Sequence, residues 1–280
     1  MIQQWRCRNT VFELGSRALV MGIVNVTPDS FSDGGRLSST QAAVEHALRL
    51  ASEGADILDI GGESSRPGAD IVPVDEELRR VIPVVREITQ RIQIPISVDT
   101  VKSEVARQAI DAGACIINDI TALGDPDMVH VARESGAGVI LMHMQGTPAT
   151  MQRNPSYQDV VAEVGAFLEE RLKFACDRGI NPLAVALDPG IGFGKTNEHS
   201  LQLLRHLEAF QRIGRPVCLG VSRKGLIGKI LNQPLENRVI GSVAIACFAI
   251  ARSAAQIVRV HDVAAHRDAV NMLAELKVES

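Results

Sequence analysis

One pattern recurs along the chain. An amphipathic stretch closes on a glycine, a short apolar run follows, and that run stops at a polar residue. It occurs at EGADILDIGG (53–62), DAGACIINDI (111–120), ESGAGVILMHM (134–144), RGINPLAVALDPG (178–190) and IGRPVCLGVS (213–222). A glycine at a helix end takes the left-handed cap conformation without a Cβ penalty. The runs that follow are almost wholly apolar rather than alternating, as in parallel strands covered by helices on one face and packed on the other. Three more runs, ALVMGIVN (18–25), IPISVDT (94–100) and AQIVRVHD (255–262), bring the expected strands to eight. Helical periodicity fills the intervals at TQAAVEHALRLAS, VDEELRRVIPVVREI, VKSEVARQAIDA, VVAEVGAFLEERLKFACD and EHSLQLLRHLEAF. Strands alternating with helices imply a parallel sheet with right-handed crossovers. Eight such units in 280 residues favour an α/β fold of the (β/α)8 TIM-barrel type over the competing open, doubly wound sheet. No linker or low-complexity segment interrupts them, so residues 1–280 are expected to form a single domain.

The polar residues fall where the strands end, which in such a barrel is the catalytic face. They are Asn25, Glu63, Asp99, Asn118, His143, Asp188, Lys224 just beyond the seventh strand, and Arg259 with His261. Helix capping accounts for any one Asp or Asn. It accounts poorly for the whole set, because Lys, Arg and His cap helix starts badly. Asp99 and Asn118 also close apolar runs, where a buried polar group is costly without a partner. A convergent ligand site is the better reading. Two loops rich in Gly, Pro, Ser and Asp, NVTPDSFSDGG (25–35) and GGESSRPGAD (61–70), follow the first two strands. They read as solvated turns or as lids; Phe31, Asp33 and Arg66 are odd choices for inert turns. DPGIGFGK (188–195) superficially resembles a nucleotide-phosphate loop but has the wrong glycine spacing before Lys195. A close backbone turn beside a planar ligand suits it better.

Composition narrows the partners. The net charge of -4 offers no basic face to nucleic acid or anionic lipid, so an anionic substrate must be caught by a local site. One Trp, one Tyr and seven Phe are too few for a single-strand stacking platform. The five cysteines are scattered, with no CxxC pair or Cys/His metal spacing, so zinc is not expected and a reduced, cytoplasmic protein is. The first ten residues lack a signal-peptide pattern, and no run reaches membrane-spanning length. The segment RVIGSVAIACFAIARSAA (238–255) is apolar around more of its helix than one barrel-facing stripe requires, which suggests a homodimer or a helix covered by the chain's own ends.

NVTPDSFSDGG, GGESSRPGA, SVDT, IINDI, LMHMQGTP, LDPGIGFGK, SRKG and RVHD stand in the order and spacing that resemble the dihydropteroate synthases, over nearly the whole chain. The resemblance implies a transferase that joins 6-hydroxymethyl-7,8-dihydropterin diphosphate to 4-aminobenzoate in folate synthesis, a sulfonamide target. It implies that Asp99, Asn118, Asp188 and Lys224 hold the pterin ring, with Met142 and Phe193 against its faces. A carboxylate suits the adjacent N–H donors of a 2-amino-4-oxo pyrimidine, and an amide suits a mixed edge. For the diphosphate it implies Asn25 through Mg2+, with Ser64, Ser65, Arg259 and His261. Mg2+ with diphosphate needs only one or two protein oxygens, and arginine grips phosphate bidentately. For aminobenzoate it implies Phe31, Pro67, Phe193 and Gly225. Asp33 would stabilise a carbocation-like pterin and Arg66 would organise the closed loops. The common pattern has Ser after SRK; here Gly225 stands there. Two alternatives share the pterin contacts: a pterin-dependent methyltransferase domain, which has no need of SSRPG, SRK or RVHD, and a pterin-binding paralogue without catalysis.

Overall fold

The computed structural model describes residues 4–15, 17–26 and 35–276. The chain begins with an antiparallel hairpin, β1 (Gln4–Cys7) and β2 (Thr10–Glu13), that sequence periodicity did not reveal. Eight parallel strands follow: β3 (Leu19–Asn25), β4 (Ile57–Gly61), β5 (Ile96–Asp99), β6 (Ile116–Asp119), β7 (Gly138–Met142), β8 (Val185–Asp188), β9 (Cys218–Leu219) and β10 (Ile257–Val260). Each pairs with the next in sequence from β3 to β8, and β10 lies between β9 and β3. A parallel bridge between Leu187 and Val217 joins β8 to the β9 segment and closes the ring. The eight expected strands are all present, in a (β/α)8 barrel.

Helices return the chain from each strand: α1 (Gly35–Ser52), α2 (Val74–Arg91), α3 (Ser103–Asp111), α4 (Met128–Ser135), α5 (Val160–Asp177), α6 (Asn197–Arg205), α7 (Gly225–Leu231), α8 (Val239–Ala251) and α9 (Val263–Leu276). The helix-closing glycines 54, 113, 136, 179 and 214 all have positive φ, as the repeat predicts. Asp159 caps α5 by accepting from the N–H groups of Val161 and Ala162, and Thr196 and His199 form a capping box at the start of α6. Two helices are shorter than their periodicity suggests. The stretch 198–210 is α-helical only to Arg205 and then tightens into a 3-10 segment, Leu207–Ile213. α8 stops at Ala251 because the chain turns at Ser253, whose φ is 55°. Among the described residues no single helix is long and apolar enough to cross a membrane.

Alternation along the strands sorts their side chains into two apolar sets. Val20, Leu58, Val98, Ile117, Val139, Val185 and Val258 face the helices. Leu19, Met21, Ile57, Ile116, Ile140, Ala186, Cys218 and Ile257 fill the lower barrel, together with Trp5, Cys7, Phe12 and Leu14 of the hairpin. The hairpin is therefore the floor of the barrel. Trp5 is fully buried, stacks on Phe12 with ring centroids 5.5 Å apart, and donates its indole N–H to the Ala184 carbonyl at 2.8 Å. Gly138 opens β7 because a Cβ there would lie 2.3 Å from the Cys7 sulfur. Each large side chain so buried contributes roughly 1.5–3 kcal/mol. Apolar groups thus seal the floor among the described residues, and the polar positions lie toward the strand C-termini.

Candidate active site

Two residues further along each strand, the inward positions turn polar. Asp59 of β4, Ser97 and Asp99 of β5, Asn118 of β6, Asp188 of β8 and Arg259 of β10 continue the rows that lower down hold Ile57, Ile116, Ala186 and Ile257. Strand register aligns Asn25, Gly61, Asp99 and Asn118 across four neighbouring strands. Gly61 leaves the space beside Asp99 open, since a Cβ there would sit 3.4 Å from the Asp99 Cβ.

Arg259 lies at the centre of this layer. Its Nε donates to Asp59 Oδ2 at 2.6 Å and its Nη2 to Asp99 Oδ2 at 2.6 Å. Asn118 Nδ2 donates to the same Asp59 oxygen at 3.1 Å, which turns the amide oxygen of Asn118 away from Asp59. Asp59 is fully buried, and its Oδ1 has no partner. Burial disfavours the Arg259 charge, but Asp59 and Asp99 outweigh it and hold its pKa above the usual arginine value. Burial raises Asp99 to about 7 against the pull of Arg259, with repulsion from Asp59, Glu77 and Asp119 adding to the rise.

Asp188 sits at the end of β8, buried, with Oδ1 accepting the Gly190 N–H at 2.7 Å. Burial raises its pKa; the Gly190 hydrogen bond and the charges of Lys224 and Arg259 oppose that. Burial lowers Lys224 to about 8, opposed by the attraction of Asp188. The Lys224 ammonium stands 4.2 Å from the centroid of Phe193. The chain delivers Lys224 through a constrained turn. Arg223 has a φ of 53°, its N–H is held by Ser242 Oγ at 2.8 Å, and its guanidinium forks onto the Asp262 carboxylate. Ser222 Oγ accepts the His261 N–H at 3.1 Å and lies 3.0 Å from its Nδ1. SRKG and RVHD are therefore one bonded unit at the mouth. Burial above all, then the charges of Arg259 and Arg223, with Arg66 adding, push His261 down to about 4. Arg259 thus lies within the carboxylate layer, with Lys224 and His261 beside it.

The structure brings together Asp99, Asn118, Asp188, Lys224, Arg259 and His261, with Met142 buried at the end of β7 and Phe193 in the loop after β8. Asn25 ends β3 at the rim, Ser64, Ser65, Arg66 and Pro67 stand in the loop after β4, and Gly225 begins α7. Phe31 and Asp33 lie outside the described residues. Two other polar residues near strand ends point elsewhere. His143, one place beyond Met142, packs its ring on Phe167 and takes Lys195 Nζ at 2.8 Å. Glu63 pairs with Lys102. Lys195 is buried and also bonds the carbonyls of His143 and Phe193, so it ties two loops together and does not face a phosphate. The loop it ends is a close backbone turn: a Cβ on Gly190 would lie 1.9 Å from the His143 carbonyl oxygen. Asp59, Ser222, Arg223 and Asp262 were missed in the sequence. The signal for Asp59 was a lone carboxylate inside the apolar run ILDIG.

Comparison with known proteins agrees with this geometry. The family model described as pterin binding enzyme matches residues 21–261. Dihydropteroate synthase from Synechocystis is 48% identical over 258 residues, covering 91% of this chain and 89% of the relative. That from Escherichia coli K12 is 51% identical over 244 residues, covering 87% and 86%. Among solved structures, the Xanthomonas albilineans enzyme with 4-aminobenzoic acid superposes with a TM-score of 0.93 at 47% identity, over all of both chains. The same enzyme in complex with 7,8-dihydropteroate superposes at 0.89 and 45%, covering 99% of this chain and all of the other. The Yersinia pestis enzyme in a sulfonamide drug complex gives 0.92 and 44%, covering 98% and 99%. The chain belongs to the dihydropteroate synthase family of pterin binding enzymes.

Proposed function

We propose that this chain condenses 6-hydroxymethyl-7,8-dihydropterin diphosphate with 4-aminobenzoate, giving 7,8-dihydropteroate and diphosphate. One observation carries the reading: Asp59, Asp99 and Asp188 form a carboxylate layer bound to Arg259 or facing Lys224, with His261 just beyond Arg259 at the strand end. That polarity suits a ligand with a donor-rich ring and a polyanionic tail. Asp188 accepts the amino-pyrimidine N–H pair, Asn118 and Asp99 take the other ring edge, and Lys224 reaches the ring carbonyl and nitrogen. Met142 and Phe193 cover the ring faces. Arg259 keeps Nη1 for the diphosphate while Asp59 holds its Nε. His261, neutral in the free protein, adds a hydrogen bond at the same end, as do Ser64 and Ser65.

The reaction is substitution at the pterin's exocyclic CH2. The C–O bond to diphosphate breaks, the aniline nitrogen forms the C–N bond, and its surplus proton leaves with solvent. A neutral aniline needs no strong base, so the protein's part is to stabilise the leaving group and exclude water. Among the described residues no group of three His, Cys, Asp or Glu could hold a metal ion. The nearby carboxylates Asp59 and Asp99 are engaged by Arg259. This donor set fits Mg2+ that arrives with the diphosphate and takes one amide oxygen, from Asn25. Bound there, the ion would neutralise charge on the leaving group. Arg66 and Pro67 line the aminobenzoate side with Phe193 and Gly225, as would Phe31, and Asp33 would face the developing positive charge. Sulfonamides would compete for the same side.

We further read the protein as a homodimer formed through α8, in a reduced cytoplasmic setting consistent with five free cysteines. The assay that tests the activity is diphosphate release by purified protein given both substrates, with and without Mg2+. Release only when both substrates are present is expected. Ring binding without release would identify the non-catalytic paralogue instead. Methyl transfer from a reduced folate would identify the methyltransferase.

A further inference from the structure

Glu63 stands where the loop 64–71 leaves the barrel. Its Oε2 accepts the N–H of Val72, at the far end of that loop, at 3.2 Å, and also binds the ammonium of Lys102. Lys102, just before α3, reaches in the other direction to Glu77 of α2, which is fully buried. One lysine is thus held between carboxylates from two different loop-and-helix units. The residue before Glu63 is fixed as well. Arg80 Nη1 donates to the Gly62 carbonyl at 2.9 Å, and a Cβ on Gly62 would meet Val81 at 2.8 Å. The start of the loop is therefore bonded to α2 and to the turn after β5, and its far end is bonded to Glu63. Arg66, Pro67 and Gly68, between those ends, are exposed.

We infer that Glu63, Lys102 and Glu77 are positioning residues that clamp the two ends of the 64–71 loop, so that Ser64 and Ser65 are presented at the diphosphate end of the site and Arg66 and Pro67 on its aminobenzoate side. The inference rests on the reading of that loop given under Proposed function. The charge arrangement makes the clamp depend on its lysine. Glu77 Oε1 has no partner, so Lys102 is what holds the buried Glu77 carboxylate and ties it to Glu63. Removing the lysine leaves the buried Glu77 carboxylate uncompensated and frees the partly exposed Glu63, so the loop end is the part able to move. A loop attached only through its backbone would show no such dependence.

Hydrogen exchange of the 64–72 amides and steady-state kinetics, both on the intact enzyme, test the clamp. In Lys102→Met the loop amides should exchange about ten-fold faster and the aminobenzoate KM should rise about ten-fold, the scale of one charge-assisted bond. The affinity for hydroxymethyl-dihydropterin lacking diphosphate should stay within about two-fold, because Asn118, Asp188 and Lys224, three of its four polar contacts, stand on β6, β8 and the loop after β9, away from the clamp. Glu63→Gln keeps an acceptor for the Val72 N–H and should give a smaller change in the same direction. It also carries the test should Lys102→Met not fold. Unchanged loop exchange in either folded variant overturns the inference, as does an equal loss of ring and aminobenzoate binding. Arg66→Ala separates the two readings. If it leaves the KM unchanged while Lys102→Met loosens the loop, the clamp stands and the loop's assigned role falls. If it raises the KM while Lys102→Met alters neither readout, the clamp falls.

Discussion

A side chain added at Gly225 would enter open space: no atom lies within 4 Å of a Cβ built there, and the residue begins α7 without the positive φ that would require glycine. The glycine is therefore not demanded by the backbone, and what it lacks is a hydroxyl. Gly225→Ser should lower the aminobenzoate KM by a few-fold, the effect of one added hydrogen bond of about 0.5–1.5 kcal/mol, and leave pterin affinity unaltered. Steady-state kinetics at saturating pterin diphosphate would show it; a raised KM would mean that the carboxylate is held away from this position. At this scale a polar residue at the end of an apolar run marked a place in the layer at Asp99, Asn118 and Asp188, but not at Glu63 or His143. Asp59 was hidden because its neighbours on both sides are apolar and its partner, Arg259, lies 200 residues away. The fork between Arg223 and Asp262 was hidden likewise, since each could serve as an ordinary loop charge.

Among the elements, α8 stands apart. Ile240 is 82% exposed and Phe248 46%, while Ala246, Ala249 and Ile250 face inward. Ile230, Leu231 and Leu235, from α7 and the turn that precedes α8, are also exposed. α9, near the chain's end, packs against one side of α8, while Ile240 and Phe248 remain exposed among the described residues. A second copy of the chain is the occupant we propose. Sedimentation equilibrium should give a dimer for the wild type, and Ile240→Glu should shift it toward monomer while leaving the thermal midpoint of a diluted sample within a few degrees. A monomeric wild type, or a variant that dimerises equally well, would refute this. Element types were legible from periodicity and, in five units, from the glycine that closes the helical stretch before its strand. Element ends were less so: the 3-10 turn after α6 and the stop at Ala251 depend on tertiary contacts that periodicity does not register.

For the whole molecule, the hairpin at the floor sets an order of events. β1 and β2 are joined by a short turn and can pair as soon as they are made, whereas the Ala184 carbonyl that receives the Trp5 indole belongs to a residue 179 positions later. Closing so long a loop is slow, and the floor needs side chains from most of the barrel strands before Trp5 has a pocket to enter. Strands that precede the whole barrel in the chain are thus expected to be among the last seated. The hairpin is a stopper held in waiting, and its hydrophobic face stays in water until the ring above it exists. Trp5 is the chain's only tryptophan, so its fluorescence reports this event and nothing else. On refolding from denaturant, helical circular dichroism should recover first and the Trp5 emission should reach its buried value in a later phase. Coincident recovery would mean that barrel and stopper form together.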